Sequence, residues 1–310
     1  MPTLQHRLIR SALASLVKPL RGAPVAIPTL RRLMNVGARV FYPPRDVETE
    51  KFRIGQIPAE WIIPQVADHN KVILYFHGGG YAVGGTQTHR SLVGAIAKKT
   101  GFCALLPEYR LAPEDPFPAA VQDAVQCYRW LLDTGHAPED IIIAGDSAGG
   151  GLSLACMLDA RDKGLPMPSA SFLIAPWVDL TISQSSVYEN IDKSPILYLR
   201  EMHAWAKNYA GDFPTDHPLV SPLFADLTGL PPLLIQVSDT EVLLDEDTLL
   251  ARRAAEAGVE VDLRVWSNLM HVWHIYWRYL SHARGAIDEI GTFVAKHSPA
   301  EVTRPIAQPA

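Results

Sequence analysis

A short stretch, residues 141–151, constrains the fold of this chain more than any other and reads IIIAGDSAGGG. Its first residues are almost all apolar and include three isoleucines, which suits a strand buried on both faces. The G-x-S-x-G spacing follows at Gly145–Gly149, and the apolar run from Leu152 to Leu158 favours a helix. A sharp connection from strand to helix lifts a serine hydroxyl above the sheet, close to a helix N-terminus. Ser147 is therefore the candidate nucleophile, against the alternative of a glycine-rich connection without chemistry.

Strand patterns alternate with helix patterns along most of the chain. Apolar runs predict buried strands at residues 71–76, 102–106, 171–175 and 233–237. Helices are predicted between them, at residues 91–100, 121–132 and 244–257. Antiparallel strands are expected before these, between Phe52 and Pro64. The alternation predicts an α/β fold with a mostly parallel central sheet and helices on both of its faces.

The last two predicted elements are an edge strand and a long helix. Residues 259–266 alternate strictly between apolar and polar, so one face is wet and the strand is expected at the sheet edge. A second copy could pair there to give a homodimer, whereas the charges of Glu260, Asp262 and Arg264 could instead protect the edge. Apolar positions from Val272 to Val294 predict one face of a long final helix.

The length of 310 residues would allow two domains, but the strand signals continue past the middle and favour a single domain with a cap. Residues 1–45 have apolar residues at roughly helical spacing, interrupted by Pro19, Pro24 and Pro28. They are expected to form an N-terminal cap arm, and a helix lying on a membrane surface is the alternative. Residues 46–310 are expected to form the main catalytic domain. Residues of about 180–222, where the alternation lapses, are expected to add to the cap.

Composition excludes several classes of protein. The net charge of −5 argues against a nucleic-acid partner. Three cysteines without framework spacing, Cys103, Cys127 and Cys156, indicate buried thiols in a reducing compartment. No apolar run is long enough for a transmembrane helix, so no stable membrane insertion is expected. The apolar segment near the N-terminus stops at Lys18 and is short for a signal peptide, so the expected location is the cytoplasm.

A nucleophilic serine needs hydrogen-bond donors for the oxyanion that its attack creates. His77-Gly78-Gly79-Gly80 directly follows the strand predicted at residues 71–76, and three glycines let backbone N–H groups turn inward. The expected donors are the N–H groups of Gly79 and Gly80, together with that of Ala148. Gly78 is interpreted as spacing, and His77 as a hydrogen-bonded anchor for the loop.

The same serine needs a base, and a third group that orients the base. The base is expected on the loop after the last strand, where His271 lies, and His274 is a competitor one turn further on. The acid is expected after the strand at residues 233–237. Asp245 has the position of a helix-capping acid, which leaves Asp239 and Glu241, and local chemistry does not decide between these two.

These motifs together resemble the hormone-sensitive-lipase-like esterases of the α/β-hydrolase superfamily, also called bacterial family IV. The resemblance covers roughly residues 60–297. It rests on His77-Gly78-Gly79-Gly80, Tyr109-Arg110-Leu111-Ala112-Pro113-Glu114 with Phe117-Pro118-Ala119-Ala120, Gly145-Asp146-Ser147-Ala148-Gly149-Gly150, and Met270-His271. The chain order of serine, acid and histidine also matches. Asp115 stands where members often have a histidine, at a position outside the chemistry.

The resemblance implies a choice between the two acids. Members commonly have a D-x-x-x-D-E stretch after the seventh strand, and residues 241–246 of this chain align with it. Glu241 then takes the usual position of the catalytic aspartate, as it does in some members, and the gap of about 30 residues to His271 fits. The resemblance also implies a cap, made from the N-terminal arm and residues near 180–220, that lines the acyl pocket.

The function that follows is that of a serine carboxylesterase acting on small-molecule esters of short to medium acyl chains through an acyl-enzyme. Ser147, His271 and Glu241 would form its triad, and neither a metal nor an organic cofactor is expected. Two alternatives stay open. An amide hydrolase of the arylacetamide or formamide type would use the same triad, and a small-molecule receptor of this fold would bind without catalysis.

Overall fold

The computed structural model describes residues 4–17 and 25–298, and its centre is one eight-stranded sheet. The strands are β1 (Val47–Ile54), β2 (Ile57–Pro64), β3 (Asp68–Phe76), β4 (Phe102–Pro107), β5 (Ile141–Asp146), β6 (Ala170–Ile174), β7 (Leu233–Ser238) and β8 (Val261–Trp266). Their order across the sheet is β1-β2-β4-β3-β5-β6-β7-β8. β1 and β2 are antiparallel to each other and β2 is antiparallel to β4, whereas the pairs from β4 through β3 to β8 are parallel. The predicted mostly parallel sheet is confirmed.

Helices cover both faces of this sheet. The helices of the described residues are α1 (Leu4–Val17), α2 (Ile27–Gly37), α3 (Thr86–Thr100), α4 (Ala119–Asp133), α5 (Ala148–Asp162), α6 (Ser185–Asn190), α7 (Leu199–Ala210), α8 (Leu244–Glu256) and α9 (Ser281–His297), of which α3, α4, α5, α8 and α9 contact the strands. Successive residues of β3 enter different cores: Ile73 belongs to the buried cluster that includes residues of α3 and α9, and Leu74 belongs to the cluster that includes residues of α4, α5 and α8. Since successive side chains of a strand point to opposite faces, a strand buried on both sides has to be apolar throughout.

The final helix begins later than its apolar pattern predicted. α9 starts at Ser281, and residues 273–276 form a 3₁₀ turn instead. Val272 has a left-handed backbone, with φ 48°, which an α-helix of L-residues cannot contain. Val272 and Trp273 are buried in this loop, whereas Tyr279 is 51% exposed, so the apolar positions do not share one helical face. The prediction of one helix from Val272 onward is wrong.

Two other helix boundaries also differ from the predictions. α3 begins at Thr86 rather than Ser91, because Thr88 hydrogen-bonds both the N–H and the carbonyl of Gly85 and so ends the preceding loop there. Pro28 does not interrupt a helix. It lies in the first turn of α2, where a missing N–H removes no helical hydrogen bond. Pro19 and Pro24 lie outside the described residues.

The segment predicted to add to the cap contains helices, and the segment predicted as the edge strand is a strand. α6 and α7 occupy the segment where strand signals lapse, and β8 is the last strand of the sheet, paired with β7. Cys103, Cys127 and Cys156 are free, buried thiols. Across the described parts of the chain, no helix is both long and apolar enough to cross a membrane.

Candidate active site

The turn at Ser147 connects the centre of the sheet to α5. Ser147 has φ 52° and ψ −124°, and its N–H donates a 2.8 Å hydrogen bond to Ile174 O at the end of β6. A Cβ atom added to Gly149 would overlap the carbonyl oxygen of Phe76, and one on Gly145 would overlap the carbonyl of Gly149. Strand and helix therefore approach so closely that only glycine fits at these two positions.

The glycine loop after β3 leaves two backbone N–H groups without a protein acceptor in the described chain. Gly79 and Gly80 both have positive φ, 129° and 59°, which side chains disfavour. Gly79 O accepts hydrogen bonds from the N–H groups of Ala82 and Val83. In the described chain, the N–H groups of Gly79, Gly80 and Ala148 donate to no protein atom. These three donors are available to a ligand.

Gly78 and His77 hold this loop in place. Gly78 N–H donates a 3.1 Å hydrogen bond to Asp146 Oδ1, so Gly78 joins the loop to the nucleophile turn and is more than spacing. His77 lies stacked on Tyr109, with ring centroids 4.3 Å apart, and its Nδ1 lies 2.9 Å from Gly78 O. Burial, with a smaller contribution from His89, lowers the pKa of His77 to about 4. A neutral ring at that position can donate its Nδ1–H to the Gly78 carbonyl.

His271 and Glu241 form a buried pair at the carboxyl ends of the last two strands. His271 Nδ1 lies 2.6 Å from Glu241 Oε2, and the two side chains are 7% and 1% exposed. Glu241 follows β7 and His271 follows β8, whereas Ser147 follows β5. Since all three strands are parallel, their carboxyl ends meet at one edge of the sheet, and the three side chains belong to one edge.

The competing acids and the competing histidine have other partners. Asp239 Oδ1 accepts a 2.6 Å hydrogen bond from Asn268 N–H, and so holds the loop that precedes His271. Asp245 Oδ2 accepts from the N–H of Ser186 in α6. His274 Nε2 lies 3.0 Å from Gln236 Oε1 in the core, and burial lowers its pKa to about 3. His274 is therefore a neutral core residue.

A second buried pair, which the sequence did not reveal, lies beneath the glycine loop. Asp146 Oδ2 lies 3.3 Å from His89 Nε2, and Asp146 Oδ1 accepts from Tyr75 O–H at 2.8 Å as well as from Gly78 N–H. Burial by itself would favour the neutral form of both groups. The attraction between their opposite charges and their hydrogen bonds together outweigh burial, so the pKa of Asp146 is lowered and the pKa of His89 is raised. The position of Asp146 inside the G-x-S-x-G motif could have marked it as part of the site. No pattern in the sequence marked His89.

Helices from two parts of the chain lie against this region. A Cβ on Gly80 would overlap the indole ring of Trp205 in α7, and Tyr209 of the same helix stacks on Tyr81 with ring centroids 3.6 Å apart. From α1, Ile9 and Leu13 pack on the apolar cluster that contains Met270 and Trp273, on either side of His271. Within the described residues, no group of three or more His, Cys, Asp or Glu side chains is arranged to hold a metal ion.

Known proteins share this architecture. A family model described as alpha/beta hydrolase fold matches residues 73–275. An acetyl-hydrolase of Streptomyces hygroscopicus is 42% identical over 252 residues, which are 81% of this chain and 83% of that protein. The chain belongs to the α/β-hydrolase family, and within it to the hormone-sensitive-lipase-like esterases. The protein is a carboxylic ester hydrolase.

Solved structures of this esterase group agree closely with the fold. A crystal structure of an esterase soaked with p-nitrophenyl butyrate has a TM-score of 0.93 and 40% identity, and the match covers 96% of this chain and all of that one. An esterase described as a member of the bacterial hormone-sensitive lipase family has a TM-score of 0.90 and 38% identity, over 96% of this chain and 99% of that one. The recognition made from the motifs is thus confirmed at the level of family and fold.

Proposed function

We propose that this esterase hydrolyses short- to medium-chain acyl esters through an acyl-enzyme on Ser147, with His271 as the base and Glu241 as the acid that orients it. The observation that carries the proposal is the buried 2.6 Å pair of His271 Nδ1 and Glu241 Oε2 at the sheet edge where Ser147 lies. A carboxylate that accepts the Nδ1–H of an imidazole fixes its tautomer and leaves the Nε2 lone pair for a proton.

The mechanism follows from that tautomer. His271 Nε2 takes the proton of the Ser147 hydroxyl as its oxygen attacks the ester carbonyl, and the carbonyl oxygen becomes an oxyanion. The imidazolium then gives its proton to the departing alkoxide, so an alcohol leaves and the acyl group stays on Ser147. Water is activated by the same histidine in the second half, and the carboxylic acid is released. Glu241 keeps its hydrogen bond to the ring and receives no proton in either half of the reaction.

The oxyanion is stabilised by backbone donors in this proposal. Gly79, Gly80 and Ala148 offer N–H groups that have no other acceptor in the described structure. Ala148 is the first residue of α5, so its N–H also lies at the positive end of the helix dipole. Removing one such donor from an oxyanion site typically lowers kcat by about 10²–10³-fold.

The preference for short acyl chains rests on the cap. Residues 1–45 and about 180–222 are proposed to form it, with residues from 46 onward as the catalytic domain. Trp205 of α7 packs directly on Gly80, so the acyl group of a bound ester would meet an indole ring beside the oxyanion. The Streptomyces relative is named an acetyl-hydrolase, and a structural neighbour was soaked with a butyrate ester, which supports the same range.

The test is hydrolysis of p-nitrophenyl esters from acetate to palmitate by the parent, Ser147→Ala, Glu241→Ala and Asp239→Ala. Ser147→Ala should remove the acyl-enzyme and the activity. Glu241→Ala should lower kcat by about 10⁴-fold, because the imidazole loses its orienting acid. Asp239→Ala is the matched control, since its carboxylate holds Asn268 N–H rather than the histidine, and kcat should stay within about tenfold of the parent.

Three outcomes would contradict the proposal. Full activity of Ser147→Ala would exclude the nucleophile, and collapse of Asp239→Ala with an active Glu241→Ala would reassign the acid. Faster turnover of a p-nitroanilide than of the matching ester would replace ester preference with amide hydrolysis. A preference for palmitate would contradict the role of Trp205.

The proposal also covers the oligomeric state and the location of the protein. The backbone N–H and C=O groups at the free edge of β8 are proposed to pair with the same strand of a second copy of the chain. Light scattering would detect this dimer as a mass twice the 34.1 kDa of one copy. The proposed location is the cytoplasm, where three buried free thiols would persist. Fractionation of the producing cells tests the location.

A further inference from the structure

Charge is distributed very unevenly along this chain. We use the name N-terminal arm for residues 1–45, which contain eight Lys and Arg residues and no Asp or Glu. The rest of the chain holds all 33 acidic residues and 20 of the 28 basic ones, a net charge of −13. A segment of charge +8 on a protein of net charge −5 creates a local positive field that the whole-chain value conceals.

The N-terminal arm also exposes apolar side chains. Twelve large apolar residues are exposed among those that the structure describes, and six belong to the arm. Each of the six is more than half exposed: Leu4, Leu8, Leu33, Val36, Val40 and Tyr42. Single exposed apolar residues are common, but half of them concentrated in one short, cationic segment indicates a surface with a partner.

Helix α2 shows how this surface is arranged. It has no buried residue, and its side-chain hydrogen bonds to the rest of the described protein come from Arg31, which binds Glu114 and the carbonyls of Ala82 and Ala112. Leu33 and Val36 are exposed one helical turn apart. Arg32 and Arg39 are exposed beside them and, within the described residues, form no ion pair. One arginine thus fixes the helix while two remain free at the edge of an aliphatic stripe.

Helix α1 also has one face packed on the protein and one face exposed to solvent. Ile9 and Leu13 pack against the cluster beside His271, whereas Leu4 and Leu8, one turn apart, are 68% and 61% exposed. Arg7 is exposed between them. Both helices therefore use one face to border the proposed catalytic residues and present leucine, valine and arginine outward.

We propose that α1 and α2 of the N-terminal arm dock this esterase reversibly on an anionic lipid bilayer surface. Aliphatic side chains interleaved with arginines match the boundary between acyl chains and anionic headgroups, where apolar burial and electrostatic attraction act together. A nucleic acid would satisfy the arginines but leave the leucines and valines in water. Because α1 and α2 border the glycine loop and the His271 loop, docking brings the site to esters that partition into the membrane. Docking on the surface needs no inserted helix.

Vesicle co-sedimentation of the full chain tests this inference. The parent should bind phosphatidylcholine vesicles containing phosphatidylglycerol, bind pure phosphatidylcholine far less, and dissociate in about 1 M salt, where charges are screened beyond about 3 Å. Each arginine at an anionic surface contributes about a factor of five, so Arg32→Ala with Arg39→Ala should weaken binding about 25-fold. Leu33→Ser with Val36→Ser should weaken it at least about tenfold, through lost apolar burial.

Matched variants elsewhere serve as controls. Arg129→Ala with Arg252→Ala removes two exposed arginines from α4 and α8, and Val66→Ser removes a valine that is 85% exposed. Both should bind vesicles as the parent does. Every variant should keep the far-UV circular dichroism and the melting temperature of the parent, which shows an intact fold and keeps this test separate from the proposed triad.

Several results would overturn the inference. One is the absence of vesicle binding, and another is equal binding to neutral and anionic vesicles. Equal weakening by the control arginines would assign the effect to overall charge rather than to the N-terminal arm. Salt-sensitive binding to RNA without binding to vesicles would replace the lipid by a nucleic acid. Self-association lost in Leu33→Ser with Val36→Ser, again without vesicle binding, would make a second copy the partner.

Discussion

Replacing Asp146 by asparagine separates the charge of this residue from its shape. The amide oxygen of Asp146→Asn can still accept from Tyr75 O–H and Gly78 N–H, which lie 2.8 and 3.1 Å from Oδ1. The amide nitrogen would face His89 Nε2, where the carboxylate now lies at 3.3 Å. His89 Nδ1 lies 2.7 Å from Thr88 Oγ1, so both ring nitrogens of the charged form have acceptors. In the variant His89 must lose its proton and accept from the amide.

The magnitude follows from the burial of both partners. Asp146 and His89 have side chains only 3% and 5% exposed, so solvent screens their attraction little. Removing one member of such a pair costs about 3–5 kcal/mol, and loss of the His89 proton relieves part of that strain. We expect Asp146→Asn to lower the free energy of unfolding by about 3 kcal/mol at neutral pH. At about 2 °C per kcal/mol for a chain of this size, Tm should fall by about 6 °C.

The pH dependence of this difference has a definite sign. The pKa of His89 is raised above its ordinary 6.5, so its contribution is complete below pH 6.5 and disappears as pH rises through the folded value. The pKa of Asp146 is lowered below its ordinary 3.8, so its contribution is present above pH 3.8 and disappears as pH falls through the folded value. The parent should therefore exceed the variant most between about pH 4 and 6.5.

Guanidinium unfolding of parent and variant at a series of pH values measures this difference. The control is Asp162→Asn, which breaks an ion pair with Arg161 in which the aspartate is 62% exposed, and which should change stability by less than about 1 kcal/mol. Equal effects of the two substitutions would refute the reasoning. So would a stability difference that grows as pH rises above 6.5.

Three further predictions concern packing, thiol reactivity and the choice of histidine. Gly149→Ala should destabilise the protein by at least about 3 kcal/mol in denaturant unfolding, since its Cβ would overlap a main-chain oxygen, whereas Gly37→Ala meets nothing within 4 Å and should be neutral or slightly stabilising. His271→Gln should abolish ester hydrolysis, whereas folded His274→Gln should keep it, because His274 binds Gln236 in the core. Ellman's reagent should react slowly with the native protein and with three thiols after unfolding, because burial raises the pKa of Cys103, Cys127 and Cys156.

Elements with a local cause were predictable from the sequence. The strand at residues 141–146 and the turn at Ser147 follow from apolar content and glycine spacing within eleven residues. The final helix was placed too early because its apolar positions continue through a loop. The left-handed Val272 stops a helix without changing that periodicity.

Contacts between distant residues were decided only by the tertiary structure. Local chemistry left Asp239 and Glu241 open, and the resemblance favoured Glu241. In the folded chain Glu241 is the acid that lies 2.6 Å from His271 Nδ1, while Asp239 binds a backbone N–H. The pairing of His89 with Asp146 joins residues 57 positions apart and left no trace in periodicity.

The sequence by itself determined the order of strands and helices along the chain, the glycine loops and the family. Backbone preferences and burial periodicity depend on neighbouring residues, so they can be read from the sequence. The tertiary structure alone decided which carboxylate meets which imidazole, and which arginines of α1 and α2 are bound to the protein and which face solvent. Hydrogen-bond geometry depends on tenths of an ångström between chain segments that only the packed sheet brings together.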